Sequence, residues 1–192
     1  MLPIVLDVAH LPVLLVGAGP LALRRLGLLD AAGAGAVRVF CPDPSDTALA
    51  EAAGARLSPG LPDAGEIAAA RLLLVAGLAP ETGAALAALA RAAGVLVNVE
   101  DDRPGCDFHM PAIHRQGDLL IAISTGGASP ALAQRVRAWI AGQFGAAWAD
   151  RLARAAALRA ELRGQGADGQ AVAAAVRALA AREHWLDEGE PG

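Results

Sequence analysis

The sequence predicts an α/β protein whose first part is a doubly wound parallel sheet. Short apolar runs alternate with helix-length segments between residues 13 and 99, and strands that alternate with helices of this length form a parallel sheet. The first apolar run leads directly into Gly17-Ala18-Gly19, and Ala22 follows. This spacing is the G-x-G-x-x-G/A pattern of dinucleotide-binding folds, so the sheet is predicted to be of the Rossmann type.

Each position of the glycine pattern has a steric reason. Val13–Val16 is predicted to be a buried strand, and Gly17 allows the tight turn from that strand into a helix. Gly19 has no Cβ, so a pyrophosphate can approach the backbone. Ala22 is predicted to open the helix, and its small side chain allows that helix to lie close to the strand. The N-terminus of this helix offers unpaired N–H groups and a partial positive charge to the phosphates.

The remaining elements of the first part are predicted from apolar runs and turn residues. The predicted strands are Ala36–Phe40, Arg56–Ser58, Leu72–Ala76 and Val95–Val99, with Pro3–Asp7 as a short strand or edge segment, and the predicted helices are Leu21–Ala32, Ser45–Ala53 and Pro80–Ala93. Leu21, Leu28 and Leu29 are expected on the buried face of the first helix.

A ligand is expected at the carboxyl edge of this sheet, because doubly wound sheets bind ligands beyond their strand ends. Gly17, Asp43, Gly77 and residues 98–102 are predicted to lie there. An acidic residue about 20 residues past the glycines can accept hydrogen bonds from the adenosine ribose, and Asp43 in that role would favour NAD over NADP. Alternatively, Asp43 caps the helix that begins near Ser45. The sequence leaves both roles open.

A hairpin and three helices are predicted after the sheet. The hairpin has the Gly117-Asp118 turn and the strand Leu119–Ser124, and the helices are Ala131–Gln143, Ala147–Arg163 and Gly169–Arg182. The predicted domains are an NAD-binding Rossmann domain at 1–113, a dimerisation module at 114–147 and a small helical domain at 148–192. The tail from Asp187 is expected to be disordered.

The segment 114–145 carries more apolar surface than one Rossmann domain needs to cover itself. Its helical part includes Val136, Trp139, Ile140 and Phe144. We therefore expect a two-fold homodimer with this segment at the centre of an isologous interface.

Composition argues against several functional classes. The 192-residue chain has a formal net charge of −4, whereas a general nucleic-acid binder is usually basic. No apolar run reaches the roughly 18–20 residues that span a bilayer, and the N-terminal sequence lacks the basic region of a signal peptide. Cys41 and Cys106 have no C-x-x-C partner and are expected to be unpaired thiols in a reducing compartment. The sequence therefore predicts a cytoplasmic protein that binds neither nucleic acid nor membranes.

Five sequence blocks resemble the precorrin-2 dehydrogenase family, which comprises stand-alone siroheme-synthase enzymes and the N-terminal half of multifunctional siroheme synthases. The blocks are Leu2-Pro3-Ile4, the glycine turn with Arg24-Arg25, Asn98-Val99-Glu100-Asp101, Phe108-His109-Met110-Pro111-Ala112 and Ile121-Ala122-Ile123-Ser124-Thr125-Gly126-Gly127-Ala128-Ser129-Pro130. Generic Rossmann proteins do not carry the last block. The resemblance implies oxidation of precorrin-2 to sirohydrochlorin with NAD and, as in many family members, insertion of ferrous iron to give siroheme.

The resemblance also implies roles for individual residues. Asp101 matches the catalytic aspartate of the family, which would take a proton during dehydrogenation and pyrrole N–H protons during metal insertion. Pro20 and Leu21 match positions that contact the cofactor behind the glycines, and Pro42 and Asp43 match its adenosine side. The residues themselves favour the catalytic role of Asp101, because it is a carboxylate beyond a strand end, although a loop-capping role is the alternative. The adjacent Asp102 is a weaker candidate.

The loop before the helix at residue 131 is implied to line the substrate site. Thr125 occupies a position where related enzymes often have a serine, and its hydroxyl, with the N–H groups at the start of the Ala131 helix, would hold a propionate or acetate of the substrate. Ser124 and Gly126 are assigned to the same substrate site. An alternative is a helix N-cap served by Ser129, with Pro130 at the first helical position. Both roles can hold together.

One motif of the family is absent from this chain, and two of its histidines are not expected to form a metal site. Relatives often have Ala-Thr-Asp near the end of the strand that here reads Val75-Ala76-Gly77-Leu78, so the family's nicotinamide contacts at this strand end are not carried over. His109 and His114 are predicted to lie on one strand and to face opposite sides, and no third ligand has suitable spacing. We therefore expect no fixed metal site, and any iron would be a substrate held by the tetrapyrrole.

Two functional classes stay open at this point. One is an NAD-dependent precorrin-2 dehydrogenase, with or without ferrochelatase activity, and the other is a non-catalytic NAD-sensing Rossmann module. Asp101 and the block Ser124–Pro130 favour the enzyme. Tight NAD binding without tetrapyrrole turnover would favour the sensor.

Overall fold

Five parallel strands form the core of the first part of the structure, a computed structural model that describes residues 1–186. The strands are β1 (Pro12–Gly17), β2 (Ala36–Cys41), β3 (Leu57–Pro59), β4 (Leu72–Ala76) and β5 (Leu96–Val99), and the helices are α1 (Gly19–Ala31), α2 (Thr47–Ala53), α3 (Ala64–Ala68) and α4 (Pro80–Ala92). The strand order is β3-β2-β1-β4-β5, and all adjacent strands are parallel. The predicted Rossmann-type sheet is confirmed.

Alternate residues of β1 pack into two separate apolar clusters. Val13 and Leu15 belong to the cluster that includes the buried residues of α1 and α2. Leu14 and Val16 belong to the cluster that includes those of α3 and α4. Successive strand residues point to opposite faces, so this pattern places helices on both faces of the sheet. A strand that is covered on both faces is apolar along its whole length, as the sequence of β1 is.

The five predicted central strands are confirmed, but Pro3–Asp7 was wrongly predicted as a strand. Residues 1–8 have no regular secondary structure. Pro3 lacks a backbone N–H, and both sides of β1 are already paired, with β2 and with β4.

The first helix begins at Gly19, two residues before the predicted start at Leu21. Pro20 lies in its first turn, where the fixed φ of proline suits a helix and the missing N–H costs nothing. Leu29 is buried as predicted, whereas Leu21 and Leu28 are only half-buried. The buried residues of this helix are Ala22, Arg25, Leu26 and Leu29. The buried stripe is therefore rotated from the predicted one, with an arginine in it.

Two further helices differ from the prediction. Helix α2 begins at Thr47, later than the predicted Ser45, and Asp46 is its N-cap. Helix α3 was missed because it is only five residues long. Its signal was a capping box, in which Asp63 and Glu66 each accept a backbone N–H of the other.

The second part of the chain begins with the predicted hairpin. Strands β6 (Ala112–Gln116) and β7 (Leu119–Ile123) are antiparallel, and Gly117 in the turn between them has a φ of +54°. Three helices follow, α5 (Pro130–Gln143), α6 (Ala147–Gly164) and α7 (Gly169–Arg182), as predicted. Helices α6 and α7 pack against each other, and α5 packs on β6. The prediction of a disordered tail from Asp187 concerns residues outside those that the structure describes.

Contacts divide the chain into residues 1–109 and residues 110 onward. The predicted boundary after residue 113 would cut β6, which begins at Ala112. The further division at 147/148 stays a prediction.

Gly17 is the position at which a side chain should damage this fold most directly. A Cβ at Gly17 would stand less than 3.0 Å from the carbonyl oxygen of Ala76, which is backbone and cannot move aside cheaply. We expect Gly17→Ala to lower the free energy of unfolding by about 1–3 kcal/mol or more. The matched control is Gly27→Ala, because Gly27 lies inside α1 and nothing stands within 4 Å of its Cβ position. That change should stabilise the helix by about 0.5–1 kcal/mol. Urea unfolding of both variants measures the difference, and equal effects would contradict the close strand contact.

Candidate functional site

The carboxyl ends of four strands meet at one edge of the sheet. Gly17 of β1 is level with Ala76 of β4, Val16 with Phe40 of β2, and Val75 with Val99 of β5. The segments after these strands therefore start side by side. They are the glycine turn, residues 42–46, residues 77–79 and residues 100–102. This is the edge at which doubly wound sheets bind ligands.

The glycine turn is packed against the end of β4. The N–H of Ala18 donates to the carbonyl oxygen of Ala76, at 3.2 Å. Gly77 has a φ of +68°, and a Cβ there would stand less than 3.0 Å from the carbonyl oxygen of Ala18. Gly17 meets the same restriction against Ala76. This chain differs from its relatives at Gly77. The difference has a structural reason, because only glycine fits beside Ala18 in this conformation.

The N-terminus of α1 has the properties of an anion site. Its N-cap, Ala18, provides no side-chain hydrogen bond, and no acidic residue lies in its first turn. Gly19 has a φ of +72°, and the space where its Cβ would stand is open. A pyrophosphate can therefore approach this turn, where the N–H of Leu21 and the helix dipole favour negative charge. The residues predicted for the pyrophosphate, which are Gly17, Gly19, Pro20 and Leu21, lie together here.

Asp46 also reaches this turn, and the sequence analysis missed it. Its Oδ2 accepts the N–H of Gly19 at 2.6 Å, and its Oδ1 accepts the N–H of Leu49 at 3.0 Å. The second bond is the N-cap of α2. The sequence signal available for that cap was the position of Asp46, three residues before the apolar helical residue Leu49. Nothing local predicts the first bond.

Asp43 does not cap α2, so that alternative reading was wrong. Its Oδ1 accepts both the N–H and the hydroxyl of Ser45, at 2.9 and 2.6 Å. These two bonds hold the pKa of the Asp43 carboxyl below its ordinary value. Asp43 and the adjacent Pro42 are exposed on the loop that follows β2.

Asp101 and Asp102 have different environments. Asp101 has a φ of +59° and an exposed side chain, and it makes no side-chain hydrogen bond or ion pair with any of residues 1–186. Asp102 is half-buried, and its Oδ1 accepts the N–H of Gly105 at 3.2 Å. The loop-capping role therefore belongs to Asp102. Asp101 is the carboxylate that is available to a ligand.

The loop that carries Asp101 folds back along β5 and is fixed by side chains. Asp107 accepts the N–H of Val97 through Oδ2 at 3.0 Å, and the Cys106 sulfur accepts the N–H of Val99 at 3.2 Å. The amide of Asn98, which is 4% exposed, donates to the carbonyl oxygen of Phe108 at 2.8 Å. Side chains thus satisfy N–H groups that edge strand β5 would otherwise leave unpaired. Burial raises the pKa of the Cys106 thiol, so this cysteine is protonated at neutral pH and serves the loop as structure.

Glu100, the residue before Asp101, ties the loop to α1. Its Oε1 pairs with Arg24 at 2.8 Å, and its Oε2 pairs with Arg25. The side chains of Arg25 and Glu100 are each only 11% exposed. The two arginines neutralise Glu100, which leaves Asp101 as the unpaired acid of this segment. This buried pair also explains why α1 has an arginine in its buried stripe.

The predicted substrate loop belongs to the second part of the chain, where its polar groups bond mainly to one another. The Thr125 hydroxyl donates to the carbonyl oxygen of Ser129 at 3.0 Å and accepts its N–H at 3.2 Å. The Ser124 hydroxyl accepts the N–H of Gly126 at 3.2 Å. Ser129 caps α5 by accepting the N–H of Leu132 at 3.2 Å, as the alternative reading predicted.

The two histidines discussed above do not share a strand. His109 precedes β6 and is exposed, whereas His114 lies within β6, and its Nε2 donates to the carbonyl oxygen of Phe144 at 2.6 Å. Across residues 1–186, no three histidine, cysteine, aspartate or glutamate side chains gather as a metal site would need. Over the same residues, no helix combines the length and the apolar character needed to span a bilayer.

The sequence of residues 4–112 matches a family described as "NAD(P)-binding", and residues 116–143 match one described as "Sirohaem biosynthesis protein central". These matches support a nicotinamide dinucleotide as the cofactor.

Curated relatives include siroheme synthases. That of Methylococcus capsulatus is 41% identical over 71% of this chain and 29% of its own length. That of Chromobacterium violaceum is 39% identical over 71% of this chain and 29% of its own length. The chain thus spans less than a third of the relatives that it matches.

The solved structure of SirC, a precorrin-2 dehydrogenase, is similar in fold, with a TM-score of 0.71 and 21% identity over 98% of this chain and 94% of that one.

The pair of Arg25 and Glu100 should contribute far more to stability than an exposed pair. Glu100→Gln leaves the buried Arg25 without a counter-charge, and we expect a loss of about 3 kcal/mol in the free energy of unfolding. Asp30→Asn is the matched control, because Asp30 pairs with Arg56 at 2.5 Å and its side chain is 46% exposed. That change should cost less than about 1 kcal/mol. Urea unfolding compares the two, and similar losses would show that burial of the first pair has no energetic consequence.

Proposed function

This chain belongs to the NAD(P)-binding family that its residues 4–112 match, and we propose that it is an NAD-dependent dehydrogenase that oxidises precorrin-2 to sirohydrochlorin. The observation that carries the proposal is the exposed, unpaired Asp101 at the same sheet edge as the glycine turn. The relatives named as siroheme synthases and the fold shared with a precorrin-2 dehydrogenase support this choice of substrate.

The proposed cofactor site runs across the ends of the strands. Gly17, Gly19, Pro20 and Leu21 hold the pyrophosphate at the N-terminus of α1, where the helix dipole and the N–H of Leu21 favour an anion. The loop that contains Pro42 and Asp43 lies on the adenosine side, next to β2. The cofactor, when bound in its oxidised form, accepts a hydride. Acidic residues in the loop after β2 support NAD over NADP, because NADP carries an additional phosphate on the adenosine ribose.

Asp101 is the proposed general base. Dehydrogenation removes a hydride and one proton from the substrate, and an oxygen of the Asp101 carboxylate would accept the proton. The two arginines on Glu100 keep that neighbour from acting as the acceptor, and Asp102 is engaged by Gly105. The precorrin-2 carboxylates would be repelled by an exposed acid, so an unpaired aspartate here is best explained by a chemical role.

Ferrous iron is a second proposed substrate. In that reaction the tetrapyrrole holds the iron, and the Asp101 carboxylate takes the pyrrole N–H protons that the metal replaces. Thr125, Ser124 and Gly126 are proposed to face a propionate or acetate of the substrate. Since both hydroxyls are already bonded within the loop, their contribution is to fix the shape of its backbone.

A homodimer is the proposed assembly. Leu132 and Trp139 are separated by seven residues on α5, so they lie on one face of the helix, and they are 54% and 67% exposed. Val136, which lies between them on that face, is half-buried. An apolar stripe of this kind is typical of the centre of an isologous interface.

Replacement of Asp101 should test the chemistry. We expect Asp101→Asn to lower kcat by about 10²–10⁴-fold, with a much smaller change in KM, because a positioned base contributes this much. Asparagine also tolerates the positive φ at this position, so the loop is preserved. The assay is anaerobic conversion of precorrin-2 with NAD, with and without ferrous iron.

Asp102→Asn is the control for that experiment, because the amide oxygen can still accept the N–H of Gly105. Its kcat should stay close to that of the wild type. If the two variants lose activity equally, the base is not Asp101. If the wild-type chain binds NAD tightly without any turnover, the protein is a sensor and not an enzyme.

Trp139→Asp should dissociate the proposed dimer. An aspartate at the centre of an apolar interface has to be desolvated without a partner, which is strongly unfavourable. Light scattering at micromolar concentration should give twice the chain mass for the wild type and the chain mass for the variant. Leu89→Asp provides the control, because it places the same charge on an exposed apolar residue of α4, outside residues 114–147. A wild-type monomer would exclude the homodimer.

A further inference from the structure

We infer that Asp46 is the residue that selects NAD over NADP in this protein. The inference deepens the proposed function, because it rests on the use of a nicotinamide dinucleotide at the glycine turn. It assigns to Asp46 the role that sequence spacing suggested for Asp43.

The carboxylate of Asp46 is held directly at the cofactor turn. Its Oδ2 accepts the N–H of Gly19 at 2.6 Å, across 27 residues of sequence. Its Oδ1 is fixed at 3.0 Å by the N–H of Leu49, in the first turn of α2. The two bonds orient the carboxylate so that it cannot swing away from the turn. Each carboxylate oxygen has a second lone pair, so both can also accept a ribose hydroxyl from a dinucleotide seated on α1.

The sequence on both sides of Asp46 supplies no cation for a 2′-phosphate. The segment 42–53 contains no lysine or arginine. Arg38 of β2 pairs with Glu66 at 2.8 Å, and Arg56 pairs with Asp30 at 2.5 Å. NADP-binding sites of this fold type use an arginine to receive that phosphate. Here the phosphate would instead meet a fixed negative charge.

Asp43 lacks the contacts that would give it this role. Its Oδ1 accepts twice from Ser45, so the carboxylate is held within its own loop, and its Oδ2 has no partner among residues 1–186. The side chain is exposed, and it makes no hydrogen bond to the glycine turn. The acidic residue that the spacing rule seeks after β2 is thus present three residues later than the rule suggests.

Binding of NAD and NADP to the full chain, measured by titration calorimetry, tests the inference without any turnover. Asp46→Asn removes the charge at nearly constant size, and its single amide oxygen keeps one of the two bonds that the carboxylate makes to Gly19 and Leu49. Asparagine also caps a helix well, so α2 is preserved. We expect the Kd ratio of NADP to NAD to fall by about ten-fold or more, through weaker NAD binding and tighter NADP binding, since a hydrogen bond to a charged group contributes at least this much. Glu51→Gln is the matched control, because it removes one negative charge from the exposed surface of α2, and it should leave the ratio unchanged.

Asp46→Ser is a second variant, which also keeps a good N-cap without the charge. It should shift the ratio in the same direction, and circular dichroism should match the wild type. The inference is overturned if Asp43→Asn shifts the ratio and Asp46→Asn does not. It is also overturned if both dinucleotides weaken equally in the Asp46 variants, because Asp46 would then only shape the turn.

A failure of the proposed function would give a different experimental result from a failure of the inference about Asp46. A wild-type chain that binds NAD in preference to NADP but does not convert precorrin-2 would refute the proposed reaction and leave the role of Asp46 intact. Gly19→Asp is the reference for a lost site, because it places a charged side chain in the open space of the turn. A wild-type chain whose dinucleotide affinity is no higher than that of this variant would overturn both proposals.

Discussion

The approach of two strand ends determines the arrangement of the whole site. The chain leaves β1 and β4 with backbone so close that neither Gly17 nor Gly77 can carry a Cβ, and the N–H of Ala18 donates to the carbonyl oxygen of Ala76. This contact fixes the direction in which α1 leaves the sheet. The N-terminus of α1 therefore lies at the carboxyl edge, where the loops after β2 and β5 also begin.

Two carboxylates from opposite sides of that edge then hold α1. Asp46 comes from the loop after β2 and takes the N–H of Gly19, and Glu100 comes from the end of β5 and takes Arg24 and Arg25. The cofactor helix is thereby linked both to the loop on the adenosine side and to the loop that carries Asp101. A buried ion pair is weak evidence of net stabilisation, because desolvation offsets much of the attraction. Its clear effect here is to specify which acid of the β5 loop is neutralised and which stays available.

Most of the fold could be predicted because its signals are local. An apolar run bounded by turn residues defines each strand, and the glycine pattern gives the first crossover its type. The errors arose where a local signal was weak or ambiguous. Helix α3 is too short to show a period, the segment Pro3–Asp7 is apolar but has no place beside β1, and the start of α1 at Gly19 depends on how the turn packs against β4.

The sequence by itself determined the order of strands and helices, the position of the glycine turn, the hairpin and the identity of Asp101 as a carboxylate beyond a strand end. These features depend on residues that are neighbours in the chain, so their pattern can be read directly. The tertiary structure decided that Asp46 and not Asp43 meets the turn, that Glu100 is paired, and that Asp102 and not Asp101 caps the loop. The first two contacts join residues 27 and 75 positions apart, and no local pattern encodes such a pairing. The third depended on a positive φ at Asp101, which aspartate permits but does not require.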